Sequence, residues 1–102
     1  MASRLTLQDE LETILGSEEV YFQPPESKNY KYDAIVYNRN NVLEKNANNQ
    51  TYISYDRYEV ILIYRDPDSD LPKKLLAAFP YITLTRHFVK DHLYHDVFNL
   101  YY

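Results

Sequence analysis

The stretch from about Thr51 to Tyr64 places the tightest constraint on the fold. In its second half Tyr58, Val60, Leu62 and Tyr64 point one way, while Ile61 and Ile63 point the other. Successive side chains of a strand face opposite sides, so this segment is apolar on both faces. Such a strand belongs in the middle of a sheet and is expected to be covered on both sides. Asp56, Arg57 and Glu59 mark a more exposed first half.

Two helices are expected to pack on that sheet. Over about residues 6 to 15, Leu7, Leu11, Ile14 and Leu15 recur at the i, i+4, i+7, i+8 spacing of one buried helical face. Thr6 is the expected cap, Asp9 and Glu10 suit the positive end of the dipole, and Gly16 supplies the stop. Over about residues 71 to 79, Leu71, Leu75, Ala78 and Phe79 repeat the pattern, with Lys73 and Lys74 toward solvent and Pro80 at the end.

The remaining β-prone runs are short. Val20-Tyr21-Phe22-Gln23 stops at Pro24-Pro25, and Ala34-Ile35-Val36-Tyr37 is open to extension. Near the end, Ile82, Leu84 and Phe88 alternate with Thr83, Thr85 and His87, and a last strand runs from Val97 to Tyr102. The reading is one α+β domain over residues 1–102. It has a single mixed sheet with two packed helices, in the order α-β-β-β-α-β-β.

Between the second and third strands lies Asn38 to Gln50, in which six residues are Asn. Asn favours turns and tolerates left-handed backbone, so a long hairpin arm or loop is expected there. Long loops in compact domains are usually functional or disordered. That arm or loop is expected to be mobile.

Composition excludes several function classes. The chain has no cysteine, which removes disulfides, thiolate nucleophiles and cysteine-bearing zinc sites. It has one glycine among 102 residues, and neither GxGxxG nor GxxxxGK[ST] is present, so nucleotide-cradling loops are not expected. The formal charge is −4 with no block of five like charges, which disfavours tight nonspecific binding to phosphates. No apolar run is long enough to span a membrane. The start, Met1-Ala2-Ser3-Arg4, does not read as a signal peptide, so a cytoplasmic origin is expected.

Three groups of residues could carry chemistry. Asp66-Pro67-Asp68-Ser69-Asp70 matches the opening of a calcium loop, but Leu71 and Ala77 stand where an EF-hand needs Gly and Glu. A helix cap with dipole partners explains it better. His87, His92 and His95, with Asp91 and Asp96, could hold zinc or manganese if they converged. A polar turn between two strands is the plainer reading, because Val97-Phe98-x-Leu100 resumes an extended chain at once. A nucleophile–base pair from Ser54, Ser69 or Thr85 has no G-x-S-x-G motif behind it. Asn49-Gln50-Thr51 fits the glycosylation pattern but has no secretory context.

The twelve tyrosines fit two designs. One is a sheet that stacks unpaired bases, which also needs a basic groove. The other divides them between core and protein–protein contacts, where tyrosine is enriched. The acidic charge favours the second. No catalytic residue, metal or cofactor is expected.

Tyr21-Phe22-Gln23-Pro24-Pro25-Glu26-Ser27, Arg57-Tyr58-x-Val60, Asp66-Pro67-Asp68-Ser69, Arg86-His87 and His95-Asp96-Val97-Phe98-x-Leu100-Tyr101 together resemble the tail terminators of long-tailed bacteriophages. These small tail-completion proteins are also called head–tail joining proteins. The resemblance covers nearly the whole chain and implies the same element order. It implies a homo-oligomer, a hexameric ring that caps the tail tube, stops its growth and offers the head a docking surface. Implied partners are the tail-tube protein and a head-closure or connector protein, with phage DNA passing through unheld. The implied location is the head–tail junction of the virion, after assembly in the host cytoplasm. A head-closure or neck-connector role at the same junction is the alternative, and a single-stranded nucleic-acid module is a lesser one. Residues expected at subunit or partner contacts are Arg39, Asn40, Asn41, Lys45, Asn46, Asn48, Asn49, Tyr52, Tyr55, Arg57, Tyr101 and Tyr102.

Overall fold

The computed structural model describes residues 4–24, 29–40 and 56–102. Seven elements follow in the expected order: α1 (Arg4–Leu15), β1 (Val20–Phe22), β2 (Ala34–Arg39), β3 (Arg57–Tyr64), α2 (Leu71–Ala78), β4 (Ile82–Lys90) and β5 (Leu93–Tyr101). They form an α+β fold with one five-stranded mixed sheet of spatial order β1-β2-β3-β5-β4. β1 runs parallel to β2, and every other neighbouring pair is antiparallel.

β3 is the middle strand, as its apolar pattern predicts. Tyr58, Val60, Leu62 and Tyr64 are buried and share a cluster with Leu7 and Leu11 of α1, Leu75 of α2 and Phe79. The opposite face departs from expectation, since no described helix lies on it. There Val97 pairs between Ile61 and Arg86, and Ile63 pairs between Ala34 and His95. Cross-strand neighbours, rather than a second helical layer, cover Ile63 and Val97.

α1 is longer than its apolar spacing suggests. It is helical from Arg4, which puts Thr6 inside the helix rather than at its cap, and Asp9 and Glu10 beyond the first turn. Gly16 does end it: its φ is +84°, and its N–H donates to the Glu12 carbonyl across 2.8 Å. Gln8 ties the helix down. Its amide donates to the Val20 carbonyl at 3.0 Å, and its Oε1 accepts from the Tyr37 hydroxyl at 2.5 Å.

α2 follows the turn at residues 66–70. Asp66 Oδ1 accepts from the Asp68 N–H at 2.9 Å, and Ser69 Oγ accepts from the Leu71 N–H at 3.2 Å. These side chains organise the turn, while Asp70 makes no side-chain cap bond. Leu75 and Phe79 are buried, whereas Ala78 is exposed despite its place in the apolar pattern.

The β4–β5 hairpin differs most from the expected register. A bulge between Leu84 and Arg86 inserts Thr85 into β4. Leu84 pairs with Phe98 on the helix face, but Phe88 pairs with His95 on the other face. The simple alternation that grouped Phe88 with Leu84 therefore fails, because one extra residue reverses the phase of every residue after it. β5 begins at Leu93 instead of Val97. The turn shrinks to Asp91 and His92, both at positive φ, 54° and 64°. Such a pair matches the right-handed strand twist of a two-residue hairpin.

Candidate interaction surface

Five of the expected contact residues gather at one end of the sheet. The Arg39 side chain ends β2, with its guanidinium 5.6 Å from the Tyr58 ring centroid and 3.7 Å from an Asp56 carboxylate oxygen. Its bond to the Tyr58 hydroxyl keeps its pKa raised. Next to it, the Asn40 N–H donates to the Arg57 carbonyl at 2.7 Å, and Arg57 Nε returns a bond to the Asn40 carbonyl at 2.9 Å. Tyr102 N–H donates to the Asp56 carbonyl at 3.0 Å, so the chain end closes the same rim. Tyr101 is exposed.

Tyr102 is occupied inside the subunit. Its hydroxyl donates to Glu10 Oε2 at 2.5 Å, and its ring meets Phe79 edge-on at 5.8 Å. Burial and then the Glu10 carboxylate push the hydroxyl up to about 12. It clamps α1 to the end of β5 and offers little free surface. Asn41, Lys45, Asn46, Asn48, Asn49, Tyr52 and Tyr55 lie outside the described residues. So does most of the Asn-rich arm.

The histidines do not converge. His87 on β4 faces the helix side and pairs with Asp96. His95 on β5 faces the other side, its ring stacked on Phe88 at 4.6 Å, and His92 is in the turn. Among the described residues no three His, Cys, Asp or Glu side chains sit where they could hold one metal ion.

Sequence reasoning missed β4 as a surface. Seven of its nine residues are exposed, including Leu84 and Val89, and its outer rim pairs with no described strand. Its alternation of Thr, Leu and Val reads as an ordinary half-buried strand. Only the strand order, which puts β4 at the edge, reveals the exposure.

Comparison with protein-family models, curated proteins and solved structures finds no match.

Proposed function

We propose that this chain is a structural subunit of a phage tail, a terminator that assembles into a ring, caps the tail tube and presents a docking surface to the head. The observation that carries the reading is the open edge of the sheet. β4 is nine residues long, exposed along most of its length, and bears apolar side chains at a rim that monomeric proteins normally shorten or cover. A part whose work is surface matching needs such a rim.

Further support comes from the fold and the sequence resemblance. The element order α-β-β-β-α-β-β is the one the resemblance implies. The rim formed by Arg39, Asn40, Asp56 and Arg57 borders the segment that carries most of the other expected contact residues. An overall charge of −4 lets DNA pass a ring without being held, since carboxylate and phosphate repel.

The test is to add purified chain to polymerising tail-tube protein and measure tube lengths by electron microscopy. The reading predicts that tubes stop growing and carry the chain at one end. Tubes that lengthen as before would overturn it, and binding to a connector complex alone would move the role to head closure.

A further inference from the structure

Among the described residues β4 has a strand neighbour on one side only. β5 pairs with it, and its other rim ends the sheet. Alternate N–H and C=O groups of an edge strand point outward, where an added strand can pair with them. β4 offers nine residues for this, against three in β1 at the opposite edge. What docks along such an edge by its backbone is an extended segment, lying about 4.8 Å from β4 as a sixth strand.

The side chains of β4 set the chemistry required on each face of that segment. The register with β5 puts Leu84 opposite Phe98, His87 opposite Asp96 and Val89 opposite Tyr94, all on the helix face. Leu84 and Val89 are 46% and 56% exposed, so the helices leave them open. Arg86 pairs with Val97, Phe88 with His95 and Lys90 with Leu93, all on the other face. Arg86 and Lys90 are exposed, and neither forms an ion pair among the described residues. Arg86 lies over the Phe88 ring at 4.7 Å. No carboxylate of β4 or β5 shares that face, since the one acidic residue in the two strands, Asp96, is buried on the helix side. An incoming strand thus meets apolar groups on one face and unneutralised cations on the other. Its own side chains alternate between those faces, so apolar and acidic residues in alternation match them.

We propose that β4 accepts, as an added strand, an extended segment of a partner protein in which acidic and apolar residues alternate. The carboxylates meet Arg86 and Lys90 on one face, and the apolar side chains meet Leu84 and Val89 on the other. A second β4 is a poor occupant. Paired antiparallel with itself, the strand would bring the cations of both copies onto the same face, where like charges repel. This deepens the proposed function, because β4 carries that reading as well, and rests on it for placing the partner at the same junction.

The probe is a capped, fluorescein-labelled peptide of alternating valine and glutamate, nine residues long like β4. Its controls are a valine–lysine version, a version of the same composition with valines and glutamates in separate blocks, and a single-stranded oligonucleotide. Binding to the whole chain is read by fluorescence anisotropy at low and high salt, and backbone amide exchange is followed by NMR. The alternating acidic peptide is expected to bind, more weakly at high salt, and to slow exchange of the β4 amides that point away from β5. Arg86→Glu with Lys90→Glu, checked for folding by circular dichroism, is expected to weaken that peptide by about tenfold or more and to favour the lysine version. No binding by the acidic peptide, equal binding by a control, or protection outside β4 overturns the proposal. Self-association of the natural chain in sedimentation that the double variant abolishes assigns the edge to a second copy and overturns it too. Tube capping is read separately: a peptide that fails to bind while tubes are still capped removes the added strand and leaves the proposed function standing.

Discussion

The Asp96 carboxylate is buried beneath the β3–β5–β4 surface and accepts from the Tyr64 hydroxyl at 3.1 Å, across neighbouring strands. His87 Nδ1 is hydrogen-bonded to its other oxygen, and Tyr94 stacks on both the Tyr64 and His87 rings. A buried carboxylate needs such partners, because an unmade hydrogen bond there carries the full desolvation cost. Replacing Asp96→Ala strips the acceptor from a buried hydroxyl and is expected to destabilise the chain by about 1–3 kcal/mol. Urea unfolding checks it, and an unchanged midpoint would show that the network contributes nothing.

Alkaline pH should weaken the fold through two tyrosines. Tyr64 is pushed up to about 12 by burial and then by its bond to Asp96, and Tyr102 to about 12 by burial and then by Glu10. A group whose folded pKa lies above its unfolded value contributes stability that is fully present below the unfolded pKa, here 10.0. That contribution is lost as pH rises through about 12. Stability is therefore expected to fall across this window, and less steeply in Tyr64→Phe. An equally steep fall in that variant would contradict the assignment.

Much of the fold was legible in the sequence, for identifiable reasons. Leu7 and Leu11 are buried where their spacing places them, as is Leu75, and the Tyr58–Tyr64 alternation marks the central strand. The register after Thr85 was not legible, because a bulge is a backbone event that leaves no mark in hydrophobic alternation. The inward role of Tyr102 was hidden for another reason: its partner Glu10 is 92 residues away in sequence. Of the expected contact residues, the structure gathers Arg39, Asn40, Arg57, Tyr101 and Tyr102 near one rim, but the edge strand β4 could be recognised only from the order of strands in space.

Gly16 is a direct test of how α1 stops. Open space surrounds the position of a Cβ there, so only the backbone objects to a side chain at φ +84°. Gly16→Ala should cost about 1–2 kcal/mol, the left-handed penalty of an ordinary residue. Gly16→Asn should cost less, because Asn tolerates that region. Thermal melts that rank Ala at or above the natural chain would contradict the account.

Leu75 is the buried contact of α2 with the sheet core. Leu75→Ala leaves a cavity and is expected to cost about 2–5 kcal/mol. The exposed neighbour Leu76 should tolerate the same change within about 0.5 kcal/mol. Denaturant midpoints of the two variants decide whether α2 packs through this one face.

Assembly into a ring is the property we propose for this chain. Its most direct test is the mass of the native assembly, measured with the protein alone and again with tail-tube protein. The expected result is a closed ring of several copies, bound at the tube end. A strictly monomeric chain that never associates with tubes would contradict it.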